Sequence, residues 1–158
     1  MGVFNSQFIK SCVNMDERFQ SLFTTIKFLL KHQGLTGGGG DRINCNRFTS
    51  YAVTLMLIFY LQQLENPILP PVAEILELDG MDPEFNINGW IFSFSFENIV
   101  SVNKNLMSLE QLLTGFFEFY STFYYEFIIC PFFGTEITHE SFKVNLKHLK
   151  WLSKDNVI

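Results

Sequence analysis

Two short patches of the chain carry side chains whose types and spacing could hold a nucleotide. Lys27 and Lys31 are four residues apart, so a helix would present both ammonium groups on one side, where a polyphosphate could relieve their repulsion. Ser50 and Tyr51 are predicted to lie near the start of a helix, where free backbone N–H groups favour an anion. The serine hydroxyl could bond a phosphate oxygen, and the tyrosine ring could stack on a base.

A third patch, Asn5 and Ser6, precedes these two and adds a small amide and a hydroxyl that could contact a sugar. Each patch also has a simpler explanation: helix capping for Asn5 and Ser6, solvent exposure for the two lysines, and core packing for Tyr51. The order and spacing of the three patches together favour a nucleotide site.

No arrangement of side chains for metal binding or nucleophilic catalysis is legible in the sequence. The three histidines are scattered, and the carboxylates include no D-x-D pair. The glycines at 37–40 lack the Lys-Ser or Lys-Thr that follows a phosphate-binding loop, so residues 36–44 are predicted to be a flexible connector. The lack of a carboxylate pair argues against a complete phosphoryl-transfer site in this sequence, because metal ions normally bridge the nucleotide and acidic side chains.

The composition predicts one packed domain that makes no use of a membrane. The chain has 158 residues, of which 47% are hydrophobic and 19 are phenylalanines. Its longest uncharged apolar run, residues 52–61, is shorter than the roughly 20 residues that a spanning helix needs. Cys12, Cys45 and Cys130 form no CxxC pair, which favours buried structural thiols in a reducing compartment.

Charge is distributed unevenly along the chain. Residues 1–51 hold six Lys or Arg against three acids, and residues 137–158 hold four Lys against two acids. Residues 52–136 hold one Lys against eleven acids. A basic beginning and end suit a phosphate-facing surface, whereas ordinary solvated faces explain the acidic block at least as well.

The hydrophobic periodicity predicts a mainly helical domain with a minor β component. Helices are expected over residues 5–13, from Asp16-Glu17 to a stop at Gly34, over 47–64, over 72–78, from a Ser108 capping box to about 125, and over 140–153. A strand is expected over 90–96. The helix at 47–64 is apolar almost all round, so it should be the central and most buried one.

The ordered patches resemble the central region plus PAP-associated segment of noncanonical poly(A) polymerases and terminal uridylyltransferases. The likeness covers residues 2–137 and runs through GVFNS (2–6), KFLLK (27–31), TSYAVTLM (49–56), FYLQ (59–62), PILP (67–70) and SLEQLLTGFFEFY (108–120). The PILP turn and the SLEQLLTGFFEFY helix look most like the mitochondrial poly(A) polymerase branch. The Gly89-Trp90 segment leans instead towards the nuclear uridylyltransferase-like branch.

The resemblance implies a role in nucleotide binding for each patch. Asn5 would contact the ribose and the base edge, with Ser6 beside it. The two lysines would hold the β- and γ-phosphates. Ser50 would bond a phosphate, and Tyr51 would stack on the incoming base.

The same resemblance implies an RNA 3′-terminal nucleotidyltransferase that adds untemplated AMP or UMP from ATP or UTP with Mg²⁺ or Mn²⁺. The family's catalytic carboxylates and metal ligands lie in a palm domain that would precede Gly2, so this chain alone is expected to bind nucleotide weakly without turnover. Its partners would be an RNA 3′ end, a nucleoside triphosphate, the palm domain and a second copy in a homodimer. A mitochondrial location is expected, with cytoplasm and nucleus as alternatives.

Two other interpretations fit the same residues. One is a non-catalytic truncated paralogue that acts as a protein- or RNA-interaction module and binds no nucleotide. The other is a fragment of a longer enzyme. Residues 138–158, which would form an amphipathic basic helix, have no counterpart in the resemblance and are unassigned.

Overall fold

The computed structural model describes residues 9–10, 12–36, 47–74, 105–124 and 126–140, and its fold is mainly helical with one small sheet, as predicted. The elements are, in order, α1 (Arg18–His32), α2 (Ser50–Gln62), α3 (Leu109–Ser121), β1 (Phe127–Cys130) and β2 (Thr135–Thr138). Residues 12–15 and 72–74 are also helical, in line with the short helices predicted there. Within these ranges no helix combines the length and the apolar character needed to cross a bilayer.

Helix α2 is the buried centre of the domain, as its uniformly apolar sequence predicts. Eight of its 13 residues are buried, and it contacts α1, α3 and β1. The buried faces of the outer two helices are Phe19, Leu22, Ile26 and Leu30 in α1 and Leu112, Phe116 and Tyr120 in α3. Their spacing of three or four residues is that of one helical face. The core is therefore a three-helix interface built around α2.

The stop predicted for α1 is confirmed at Gly34. Gln33 follows the last helical residue, and Gly34 adopts a left-handed backbone with φ of 70°. The Gly34 N–H donates to the carbonyl of Lys31 at 3.0 Å, which satisfies one of the free carbonyls at the helix end. Glycine suits this position because a left-handed backbone costs it no steric energy.

Helix α2 begins three residues later than predicted. The Phe48 N–H donates to the carbonyl of Leu35 at 2.8 Å, so this residue belongs to the connection rather than the helix. Thr49 has an extended backbone and its hydroxyl accepts from the Ala52 N–H at 3.1 Å, which makes it the N-cap. The helix also ends two residues earlier than predicted, at Gln62, and the N–H of its C-cap Gln63 donates to the carbonyls of Phe59 and Tyr60.

The capping box predicted at the start of α3 is confirmed. The Ser108 hydroxyl accepts from the Gln111 N–H at 3.2 Å, and the Gln111 side chain accepts from the Ser108 N–H at 2.8 Å. The helix ends at Ser121 rather than near residue 125. Thr122 is the C-cap, and its hydroxyl donates to the carbonyls of Glu118 and Phe119.

The β-hairpin after α3 was not predicted. Its strands pair antiparallel, with Ile128 opposite Ile137, and neither strand contains a fully buried residue. Gly134 in the turn has φ of 63°, and a Cβ there would lie 2.7 Å from Pro71 Cγ, so the position requires glycine. The Gln62 side-chain amide donates to the Pro131 carbonyl at 3.0 Å and so ties the turn to α2. The strand predicted at 90–96 lies outside the described residues, as does most of the helix predicted at 140–153.

Candidate nucleotide site

The fold brings two of the three predicted patches to one end of the helix pair α1–α2. The hydrogen bond from Phe48 to Leu35, together with an isolated parallel bridge between Thr36 and Phe48, joins the segment after α1 to the segment before α2. The last turn of α1, with Lys31, therefore lies at the same end as the first turn of α2, with Ser50. The third patch, Asn5 and Ser6, lies outside the described residues.

Lys27 and Lys31 are exposed on successive turns of α1, as their spacing predicts. The Nζ of Lys27 lies 5.7 Å from the centroid of the Phe23 ring, in a cation–π contact that leaves its charge unneutralised. No carboxylate among the described residues forms an ion pair with either lysine. Both ammonium groups are therefore open to an anionic ligand.

The first turn of α2 presents backbone N–H groups at an exposed helix N-terminus. The Thr49 cap occupies the N–H of Ala52, whereas the N–H groups of Ser50 and Tyr51 have no intrahelical acceptor. No acidic residue lies in this turn to neutralise the positive end of the helix dipole. The turn therefore favours an anion beside the exposed Ser50 side chain.

Tyr51 lies at the surface rather than in the core. Its side chain is 45% exposed, which removes the simpler interpretation of a core aromatic. It belongs to the same helical turn as Ser50. An exposed ring one residue from a candidate phosphate contact is accessible to a stacking partner.

The described residues are strongly segregated by charge. Residues 18–36 and 47–64 contain Arg18, Lys27, Lys31 and Arg47 and no carboxylate. The described residues from 65 to 140 contain seven glutamates and no lysine or arginine. Because Arg18 is paired with Asp16, the positive charge of α1, α2 and their connection comes from Lys27, Lys31 and Arg47, whereas five of the glutamates lie in or beside α3 and the hairpin.

At the opposite end of α1, an arginine joins the ends of all three helices. Arg18 binds the Asp16 carboxylate through Nε and Nη2, at 2.9 and 2.7 Å. Its Nη1 donates to Asn105 Oδ1 at 3.3 Å and to the Met107 carbonyl at 2.7 Å. The buried Asn105 donates in turn to the Asn66 carbonyl, just beyond α2, at 2.8 Å. These bonds hold the starts of α1 and α3 beside the end of α2. Helices α1 and α3 therefore run antiparallel to α2.

Sequence reasoning missed this arginine network because its partners are far apart in the chain. In the sequence Asp16 marks only the expected start of a helix, and Arg18 reaches residues 87 and 89 positions away. The network prevents α1 from sliding along its axis relative to α2 and α3. Lys27 is nine residues after Arg18, or ~14 Å further along the same helix. The hydrogen bonds at the start of α1 therefore help to set the position of the two lysines near its end.

The described residues do not fit a divalent cation. Within them, no three His, Cys, Asp or Glu side chains come together in a way that could hold a metal ion. A shallow cleft of about 540 Å³ at the base of the hairpin is lined by Glu126, Phe127, Thr138, His139 and Glu140, away from the lysines. The α1–α2 end offers two ammonium groups, an exposed helix N-terminus and an exposed tyrosine ring, and no chemical step is assigned to it.

Several curated proteins are similar to this chain. The speckle targeted PIP5K1A-regulated poly(A) polymerase of Rattus norvegicus is 32% identical over 118 residues, which are 74% of this chain and 13% of that protein. The Xenopus tropicalis protein of the same name is 33% identical over 142 residues, which are 87% of this chain and 16% of that protein. The mitochondrial poly(A) RNA polymerase of Drosophila melanogaster is 32% identical over 126 residues, which are 77% of this chain and 20% of that protein. The chain thus spans at most a fifth of these relatives.

Solved structures show the same likeness at the level of the fold. A mutant of mtPAP in complex with ATPγS matches with a TM-score of 0.67 and 25% identity, over 81% of this chain and 27% of that one. Apo mtPAP matches with a TM-score of 0.66 and 26% identity, over 83% and 27%. No protein-family model matches the chain.

Proposed function

Since this chain belongs to the noncanonical poly(A) polymerase family, we propose that its α1–α2 end binds the nucleotide of an RNA 3′-terminal nucleotidyltransferase. The observation that carries the proposal is the placement of Lys31 and Ser50 at one end of the fold, where the described residues 18–36 and 47–64 include no carboxylate. The similar proteins are poly(A) polymerases, and one mtPAP structure holds ATPγS, which favours ATP as the substrate. UMP addition from UTP is the alternative.

Each patch has a proposed task that matches its chemistry. The ammonium groups of the two lysines hold the β- and γ-phosphates, which supply the negative charge that adjacent cations need. The Ser50 hydroxyl, aided by the positive end of α2, bonds another phosphate oxygen. The exposed Tyr51 ring stacks on the base. Asn5 and Ser6 are proposed to contact the ribose and base edge.

The proposal divides the enzyme between this chain and a palm domain. Residues 1–137 would form the central plus PAP-associated region, and residues 138–158 a separate basic helix. The catalytic carboxylates, with Mg²⁺ or Mn²⁺, would come from the palm domain, because the resemblance assigns none of them to these 158 residues. This chain alone would then bind ATP without extending an RNA 3′ end. Speckle-targeted and mitochondrial relatives leave the nucleus and the mitochondrion as the proposed locations.

Substituting Lys27 with alanine should weaken ATP binding by about 10- to 150-fold, because a hydrogen bond to a charged group contributes roughly 1.5–3 kcal/mol. Lys31→Ala should have a similar effect. Calorimetric titration of ATP into the wild type and both variants measures these losses. Lys10→Ala is the matched control, since Lys10 is an exposed helical lysine outside the patches, and it should bind ATP as the wild type does.

Equal ATP affinity in the wild type and Lys27→Ala would contradict the proposal. It would favour the second candidate, a non-catalytic interaction module, for which neither lysine matters. Extension of an RNA 3′ end by this chain alone would contradict the division of labour with a palm domain.

A further inference from the structure

We propose that single-stranded RNA crosses a platform formed by Phe28 and His32 of α1 with Arg47 and Phe48 just before α2, an inference that rests on the proposed function. The platform borders the candidate nucleotide site and uses none of its residues. It therefore gives the RNA strand a path of its own to the site where the new nucleotide is held.

The aromatic rings of the platform are at the surface. Phe28 is 65% exposed, and Phe48 is 40% exposed. The rings of Phe28 and His32 lie one helical turn apart with centroids 6.4 Å apart, tilted by 32°. Helix α1 already buries a complete apolar stripe, so Phe28 adds nothing to the core. Adjacent exposed rings of this kind offer stacking surfaces to unpaired bases of any sequence.

The charge around these rings suits a polyanion. Arg47 is exposed beside Phe48, and His32 follows the exposed Lys31. The described residues of 18–36 and 47–64 hold no carboxylate, so their charged side chains around the platform are cations. The five glutamates of the described residues from 105 to 140 repel RNA from α3 and the hairpin. Exposed rings among cations favour single strands, whose bases are free to stack.

The platform is contiguous with the nucleotide site because of one backbone bond. The Phe48 N–H to Leu35 carbonyl bond holds Arg47 and Phe48 against the end of α1. Phe28 and His32 are one residue after Lys27 and Lys31, and Phe48 is two residues before Ser50. A strand that stacks on the platform therefore has its end beside the bound triphosphate.

The test measures binding of a labelled 15-nucleotide oligo(A) by fluorescence anisotropy. Phe28→Ala should weaken RNA binding roughly 5- to 20-fold, because one aromatic–base stack is lost. Arg47→Ala should reduce the slope of log K against log salt concentration by about 0.7, the value for one phosphate contact on a single strand. Both variants should bind ATP as the wild type does. A duplex RNA of the same length should bind more weakly than the single strand.

Two variants separate stacking from a loss of structure. Phe28→Tyr keeps a ring and should bind RNA within twofold of the wild type. Phe133→Ala removes a ring that is 55% exposed in the hairpin turn, on the acidic side, and should leave RNA binding unchanged. If Phe28→Ala binds RNA as tightly as the wild type, or if Phe133→Ala loses as much, the platform is overturned.

The same titrations distinguish failure of the platform from failure of the proposed function. A chain that binds ATP through Lys27 but is insensitive to Phe28→Ala in RNA binding lacks the platform and keeps the nucleotide site. A chain that shows the Phe28 effect on RNA but binds no ATP keeps the platform as an RNA-interaction surface and loses the nucleotide site.

Discussion

Replacing Arg18 with methionine is expected to lower the free energy of unfolding by about 3 kcal/mol, because it breaks a largely desolvated ion pair and two long-range hydrogen bonds. The Asp16 side chain is only 7% exposed and would lose its guanidinium partner, whereas methionine can replace most of the apolar volume. The Met107 carbonyl and Asn105 Oδ1 would each lose a donor. Urea denaturation of the wild type and variant measures the difference.

Two further variants test the cause of that loss. Adding Asp16→Asn to Arg18→Met removes the stranded carboxylate charge and should restore part of the stability. Arg47→Met is the matched control, because no described residue forms an ion pair with this exposed arginine, and it should change stability by less than about 0.5 kcal/mol. A loss below 1 kcal/mol for Arg18→Met would show that the network does not hold the helix ends together.

Substituting Gly115 with alanine is expected to destabilise the protein by about 2 kcal/mol, although alanine is the better helix former by ~1 kcal/mol. A Cβ at this position would overlap the Tyr60 hydroxyl. The Tyr60 ring is 3% exposed and packs edge-on against Phe116 with centroids 5.7 Å apart, so it has little room to move. Close packing of α2 against α3 thus excludes even a methyl group here.

Tyr60→Phe should rescue Gly115→Ala. The hydroxyl has no hydrogen-bond partner in the described part of the chain, and burial followed by the Glu118 carboxylate raises the pKa of Tyr60 above its ordinary value. Removing an unpartnered buried hydroxyl should be close to neutral by itself. Without it, the nearest ring atom would lie 3.4 Å from the new Cβ, an ordinary contact.

Thermal or urea unfolding of the two single variants and the double variant completes a double-mutant cycle. The double variant should be at least as stable as the wild type, with a coupling energy of about 2–3 kcal/mol between the two positions. A double variant that is no more stable than Gly115→Ala would mean that the Tyr60 hydroxyl is not what the new methyl group meets.

The features of the fold that could be predicted are those encoded within a few residues. The apolar sequence of α2 predicts its central position, Gly34 predicts the end of α1, and the Ser108 capping box predicts the start of α3. Each depends on local backbone chemistry or on the periodicity of one helix. Those predictions needed no knowledge of what packs against the helix.

The features that could not be predicted depend on contacts between distant residues. The start of α2 is fixed by the Leu35–Phe48 bond, and α1 is anchored through Asn105, 87 residues from Arg18. The hairpin is held by its Gln62 contact with Pro131, 69 residues away. The residue preferences of a short segment do not identify such distant partners, because the sequence of that segment is the same whether or not the partner is present.

The candidate site divides in the same way. The four-residue spacing of Lys27 and Lys31 predicts their common face, whereas the position of Lys31 at the same end as Ser50 follows only from how α1 and α2 are joined. The exposure of Tyr51 was open in the sequence, because an aromatic in an apolar helix is more often buried. The roles of these residues, and of Asn5 and Ser6, stay predictions.

The most direct measurement of the central claim is an ATP titration of the ¹⁵N-labelled chain followed by NMR. We predict that the amide signals of residues 27–31 and 50–52 shift together with one dissociation constant, and that those of the hairpin at 127–138 do not move. Shifts confined to the hairpin, or no shift at millimolar ATP, would contradict a nucleotide site at the α1–α2 end.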